Sequence, residues 1–222
     1  MITLDGESLD IEKVWRVSLG GEKVALASNA REKIRASRTY IEGRVKKGEV
    51  IYGVNTGFGA FSSVKISPPD IIQLQKNLIR SHSSGVGKPF SIEQTRAIML
   101  LRANALTRGH SGVREAVPEK ILEFLNHDIV PVIPEQGSVG ASGDLAPLAH
   151  LALALIGEGE VWQDGKATPT ADVLRRQKIQ PLELQAQMMV MILIKLCCTI
   201  LDQHLIVSTI CILMCFRYQV IV

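Results

Sequence analysis

Residues 131–150 read Pro131-Val-Ile-Pro-Glu-Gln-Gly-Ser-Val-Gly-Ala-Ser-Gly-Asp-Leu-Ala-Pro-Leu-Ala-His150, and the way this stretch divides decides the fold. Its second half opens the run from Leu145 to Ile156, which is apolar on nearly all faces, and a helix with that pattern is buried. Its first half sets Gly137, Gly140 and Gly143 among Ser138, Ala141 and Ser142, the composition of a tight turn feeding that helix. A buried helix needs neighbours, and the chain upstream supplies them. Ser28 can cap a helix from Asn29 to about Lys47, and Gly48 follows the basic pair Lys46-Lys47 as expected at a carboxyl end. Ser67 precedes Pro68 and Pro69 and then Ile71, Leu74 and Leu78, which predicts an amphipathic helix from about Pro69 to His82. Ser91 with Gln94 forms a capping box for a helix running to about Thr107. Val113 to Asn126 reads as another, with Pro118 marking its true start or a kink. Val161 to Lys166 offers a hairpin turn at Asp164-Gly165. The chain is therefore expected to be mainly α with a few short strands.

A length of 222 residues suffices for a substantial core. The formal charge of +3 comes without a basic run, and 5% aromatics without basic-aromatic interleaving give no nucleic-acid footprint. The start, Met-Ile-Thr-Leu-Asp-Gly-Glu, lacks the basic region and apolar run of a signal peptide, so a cytoplasmic protein is expected. From Met188 to Val222 the composition changes to Met, Val, Ile, Leu and Cys, with Lys195, Asp202 and Arg217 as the charges and neither Gly nor Pro. A membrane anchor is one reading, but these charges and His204 leave no clean run of about 18 apolar residues. The favoured reading is a tail unrelated to the rest, such as translation past a frame change or a misassigned boundary. The expected division is thus residues 1–186 and residues 187–222. Cys197, Cys198, Cys211 and Cys215 all fall in the tail at spacings that fit neither a zinc site nor a disulfide framework, and are read as reduced.

Ala141-Ser142-Gly143 can react with itself if a tight turn holds it. The Gly143 amide nitrogen attacks the Ala141 carbonyl carbon, loss of water closes a five-membered imidazolone, and loss of the Ser142 hydroxyl as a second water leaves an exocyclic methylene. Gly143 has no Cβ to obstruct its nitrogen and accepts unusual torsions, Ala141 is small, and Ser142 carries the leaving hydroxyl. Gly137 and Gly140 allow the strained path. Asp144 is placed to cap the following helix or to assist the proton transfers of cyclisation, and the helix amino end favours negative charge developing on the ring. By itself Gly-Ala-Ser-Gly-Asp is an ordinary small-residue turn; its surroundings give it meaning.

Three further stretches matter: Tyr52-Gly-Val-Asn-Thr-Gly-Phe-Gly59, Leu78-Ile-Arg-Ser-His-Ser-Ser-Gly-Val-Gly87 and Arg102-Ala-Asn-Ala-Leu-Thr-Arg-Gly-His-Ser-Gly112. The first has glycines spaced as in a phosphate loop but lacks a Gly-Lys-Ser/Thr ending, and is otherwise a glycine-rich turn. In the second, a lone histidine at a helix end commonly serves the dipole. Together with residues 131–150, and in this order, they resemble the aromatic amino-acid ammonia-lyases that use a methylidene-imidazolone electrophile. The resemblance runs from about Ile2 to about Gln185. It implies the amino-terminal domain of the fumarase/aspartase-like helical fold, stopping before the central long-helix bundle. It implies a methylidene-imidazolone formed autocatalytically from Ala141, Ser142 and Gly143 with no external cofactor, Tyr52 as catalytic base, Asp144 beside the ring, and Gly59 and His82 lining the substrate. Phenols titrate near about 10 in water, so a tyrosine base needs nearby positive charge or hydrogen bonds. Members that take histidine share a Ser-His pair where this chain has Ser81-His82, so the resemblance implies L-histidine as substrate and trans-urocanate as product. The phenylalanine- and tyrosine-directed members show Phe-Leu and His-Leu there. The third stretch falls in scaffold, and His110, His127 and His150 read as structural, with no pair at metal-ligand spacing. Family sites assemble in a homotetramer, largely through the bundle, and draw on an asparagine and later residues absent from this chain; the chain alone is therefore expected to be inactive.

Overall fold

A computed structural model describes residues 1–57, 64, 66–140 and 143–185. Gly59, Ala141, Ser142 and the tail from residue 186 lie outside the described residues. The core is built around α4 (Ile92–Thr107), whose amino end carries the expected capping box: the Gln94 N–H donates to Ser91 Oγ and the Gln94 side chain accepts from the Ser91 N–H. Met99, Leu100, Ala103 and Leu106 are fully buried on it. The helices packed most extensively against α4 are α1 (Ile11–Ser18), capped by Asp10, and α5 (Ala116–Asn126). Pro118 lies in the first turn of α5, where its missing N–H is harmless, so Pro118 marks a start, which lies at Ala116 rather than Val113.

Of the polar residues buried on α4, Arg96 and Thr107 donate to main-chain carbonyls, Thr107 to that of Asn104 at 2.6 Å. The Arg96 guanidinium donates to the Val17 carbonyl at 3.1 and 3.0 Å, to the Leu125 carbonyl at 3.3 Å and to Asp128 at 2.6 Å, tying α1 and α5 to α4. Burial pulls the Arg102 guanidinium down to about 10, which leaves it charged at neutral pH.

Around this core run α2 (Ser28–Lys46), α3 (Pro68–His82), α6 (Ala146–Leu155) and α7 (Thr170–Gln177). Ser28 is the first residue of α2 instead of its cap: Ala27 holds that position, and its extended backbone is fixed by an N–H bond to the Leu4 carbonyl. Ser67 does precede α3, but its hydroxyl turns to Asp70 and makes no bond to a helix N–H. The apolar run after Leu145 forms α6, with Leu148, Ala149, Leu151, Ala152, Ala154 and Leu155 buried.

The strands are short and pair in four small sheets among the described residues. β1 (Ile2–Leu4) and β2 (Val24–Leu26) are parallel across α1. β3 (Val86–Pro89) is antiparallel to β5 (Pro134–Gln136). β4 (Val130–Pro131) joins β8 (Glu160–Gln163) and β9 (Lys166–Pro169), and the β8–β9 turn is Asp164-Gly165 with φ of +52° and +74°, the two left-handed residues of the expected hairpin. β6 (Val139–Gly140) and β7 (Gly143–Asp144) pair with each other immediately before α6. No helix among the described residues is long and apolar enough to cross a membrane.

Candidate active site

The β6–β7 register pairs Val139 with Asp144 and Gly140 with Gly143, leaving only residues 141 and 142 between the paired glycines. Gly143 has φ of +78°, a left-handed backbone that costs a side-chain-bearing residue roughly 1–2 kcal/mol. Asp144 Oδ1 accepts the Ala146 N–H at 2.9 Å, so Asp144 caps α6 as anticipated, from one residue outside the helix cap Leu145. Its charge lies at the positive end of the helix.

Gly137 is glycine for a reason other than torsional freedom. A Cβ there would lie 2.1 Å from Asp144 Oδ1 and 2.7 Å from Ala146 Cβ. The approach of the chain before the hairpin to the first residues of α6 therefore requires a missing side chain, a contact that the sequence reading did not anticipate.

His82 ends α3. Its Nδ1 lies 2.8 Å from the Leu78 carbonyl oxygen and 3.1 Å from Ser81 Oγ, and the Ser81 hydroxyl itself donates to the Leu78 carbonyl at 3.0 Å. A carbonyl only accepts, so Nδ1 carries a proton, and in the neutral tautomer the lone pair is then on Nε2. Ser81 and His82 thus form a local unit on one carbonyl, which fixes both the tautomer and the direction of the acceptor.

α3 packs on α6. Arg80 clasps Glu158, just beyond α6, through Nε–Oε2 and Nη2–Oε1 contacts of 2.8 and 2.7 Å, and these hydrogen bonds hold the Glu158 carboxyl below its usual range. His150, on α6, accepts the Gly85 N–H on Nε2 at 3.3 Å, and burial pushes its imidazole below its usual value. The end of α3 that carries His82 is in this way tied to the helix that follows the hairpin.

Tyr52 lies in a separate turn and is 53% exposed. Asn55, which is 3% exposed, holds that turn by accepting the Ile51 N–H at 2.8 Å and donating to the Glu49 carbonyl at 2.7 Å. Thr56 Oγ1 accepts the Gly53 N–H at 3.2 Å. Bonds from the Ile66 N–H to the Asn55 carbonyl and from the Gly57 N–H to the Val64 carbonyl, at 3.0 and 3.3 Å, join the turn to the segment leading into α3. The sequence reading singled out Tyr52 and passed over Asn55, although an asparagine beside Gly and Thr is a recognisable organiser of turns. Among the described residues no group of three His, Cys, Asp or Glu side chains could hold a metal ion.

The chain shares its fold with solved lyases and aminomutases of aromatic amino acids. It superposes on tyrosine aminomutase from Streptomyces globisporus with a TM-score of 0.80 and 41% identity, over 86% of this chain and 36% of that one. On histidine ammonia-lyase from Trypanosoma cruzi the TM-score is 0.79 and the identity 38%, over 87% and 37%. The chain belongs to the aromatic amino acid lyase family, whose model matches residues 9–192. It is 52% identical over 185 residues to histidine ammonia-lyase from Geobacillus thermodenitrificans, covering 83% of this chain and 37% of that protein. The chain thus spans a little over a third of the length of the curated relatives it matches.

Proposed function

We propose that this chain carries the electrophile-forming and imidazole-recognising part of an ammonia-lyase that eliminates ammonia from L-histidine to give trans-urocanate. The observation that carries the reading is the β6–β7 register, which sets left-handed Gly143 opposite Gly140 with Asp144 fastened to α6. These residues fit a ring made from Ala141, Ser142 and Gly143. The hairpin restrains the peptide so that intramolecular attack by the Gly143 nitrogen replaces an improbable encounter, and two water molecules leave. When formed, the methylidene-imidazolone supplies an electrophilic carbon that no standard side chain provides.

The chain's own residues do the rest. His82 accepts the substrate imidazole N–H on Nε2, its Nδ1 being committed to the Leu78 carbonyl. Tyr52 removes the substrate β-proton, and Gly59 leaves room beside the substrate. Asp144 orients the start of α6 towards the electrophile. The 52% identity to a histidine ammonia-lyase and the Ser81-His82 unit favour L-histidine over L-phenylalanine or L-tyrosine.

The test supplies L-histidine together with the carboxyl-terminal portion of a full-length histidine ammonia-lyase, which brings the asparagine and later site residues, and follows urocanate absorbance with the wild-type chain and with Ser142→Ala. Urocanate made by the wild type and lost in the variant is the expected result. Urocanate made at the same measurable rate by both would overturn the electrophile.

A further inference from the structure

The segments that carry His82 and the electrophile hairpin lie far apart in sequence, and Gly85 is where they meet. Gly85 follows His82 by three residues. On one side its N–H donates to His150 Nε2 at 3.3 Å. On the other side lies β5, which immediately precedes Gly137 and the hairpin. A Cβ built on Gly85 would sit 3.2 Å from His150 Nε2, 3.2 Å from Pro134 Cβ and 3.4 Å from the Gln136 carbonyl oxygen. The first two distances are tighter than ordinary contact and the third is at its lower edge, so the glycine is wedged between α6 and β5. The chain then continues into β3, where Val86 pairs with Gln136 and Pro89 with Pro134. The stretch leaving His82 is therefore gripped both by the strand that leads into the electrophile hairpin and by the helix that leads out of it.

We propose that His150 is a positioning residue: by accepting the Gly85 N–H it fixes the His82-bearing end of α3 against α6, and so sets where a substrate imidazole lies relative to the electrophile. The purpose of this contact rests on the lyase reading above; the contact and its effect on His82 can be measured without it. Three observations carry the assignment. An acceptor is needed, because the Gly85 amide is part-buried and has its bond to this ring. The ring supplies it only when Nε2 is unprotonated, which puts the proton on Nδ1, and burial of the imidazole favours that neutral state. The fit is steric as well as polar, since β5 backs the glycine from the opposite side.

The experiment measures Gly85 amide exchange and the His82 ring resonances by NMR in the wild-type chain, His150→Phe, His150→Gln and Gly85→Ala, with the Leu100 and Leu106 amides as core controls. Phenylalanine keeps a ring without an acceptor, whereas glutamine offers an acceptor oxygen at similar reach. His150→Phe is expected to speed Gly85 exchange about five- to tenfold, the range of one hydrogen bond, and to shift the His82 resonances, with the core amides unchanged. His150→Gln is expected to restore both. Gly85→Ala, which leaves His150 in place and forces the wedge apart, is expected to shift the His82 resonances too and decides the matter if His150→Phe does not fold. Unchanged His82 resonances in the folded variants, or a glutamine variant indistinguishable from phenylalanine, would overturn the proposal. An uncyclised wild-type chain with these NMR results intact would instead count against the lyase reading alone.

Discussion

Replacing Gly137 with alanine puts the hairpin's packing to a severe test. The new methyl carbon would lie 2.1 Å from Asp144 Oδ1 and 2.7 Å from Ala146 Cβ, far inside contact distance. The carboxylate can swing away, but Ala146 Cβ belongs to the first residue of α6, so the chain before the hairpin must also shift. Two responses compete. If the structure stayed rigid, overpacking would cost about 1–3 kcal/mol and would add to the lost capping bond. The hairpin has only two residues on each side, however, and it yields before the buried helix does. Its release limits the loss to the charge-assisted bond between Asp144 and the Ala146 N–H, about 1.5–3 kcal/mol. For a domain of this size that lowers the Tm by about 3–12 °C. Cyclisation, which depends on the hairpin being docked, should fail altogether. The assays are thermal unfolding and intact mass on the same preparations, with Asp144→Ala and the double variant completing a cycle. Because Gly137→Ala and Asp144→Ala remove the same bond, the double variant should lose less stability than the two single losses summed. A Gly137→Ala chain with wild-type Tm and a fully formed ring would refute the packing argument.

Other consequences can be checked independently. Burial holds the folded-state His150 pKa below its ordinary value of 6.5, so the folded state binds fewer protons than the unfolded one. Its contribution to stability is complete above about 6.5 and is lost as the pH falls through that value towards the folded-state pKa; His150→Gln should flatten the denaturant midpoint across this window, and superimposable wild-type and variant profiles would contradict the assignment. Ser91→Ala removes the capping box of α4 and should cost about 1 kcal/mol, or about 2–4 °C in Tm, with an unchanged Tm as the contrary result. Arg96→Met strips the donors from the Val17 carbonyl, takes one donor from the Leu125 carbonyl, which keeps the Asp128 N–H, and leaves the largely exposed Asp128 carboxylate without its partner. The expected loss in denaturant unfolding is about 2–3 kcal/mol, set mainly by the Val17 carbonyl left without a donor, and a loss below about 1 kcal/mol would show that this carbonyl finds another donor.

The parts of the fold legible in the sequence were those whose causes are local. Ser91 and Gln94 cap within one turn, Asp164-Gly165 supplies both left-handed residues of a hairpin, and the run after Leu145 has no polar face to expose. Ser28 and Ser67 show the limit of that logic. Ser28 is displaced as a cap because Ala27 is held by a backbone bond to Leu4, and the Ser67 hydroxyl goes to the Asp70 side chain. The parallel pairing of β1 with β2 and the antiparallel pairing of β3 with β5 bring together strands whose partners no local pattern identifies.

The candidate site divides in the same way. Gly143 and Asp144 stood out because ring closure demands particular residue types, and Tyr52 and His82 through the resemblance to the family. Gly137 looked like a torsional glycine until the Asp144 carboxylate was seen against it. Asn55 works through two main-chain groups on its own turn, and His150 through a backbone N–H contributed by the segment after His82. Neither partner has a side-chain signature, so neither relation can be read from residue types alone.

The central claim is that residues 131–150 fold so that Ala141-Ser142-Gly143 reacts with itself, and intact mass spectrometry of the purified chain tests it most directly. The account predicts a mass below the sequence value by two waters, about 36 Da, because the docked hairpin makes the reaction intramolecular. It also predicts that Ser142→Ala, which has no hydroxyl to lose, falls short of its own sequence mass by at most the one water of ring closure, about 18 Da. A folded wild-type chain at its full sequence mass would contradict it.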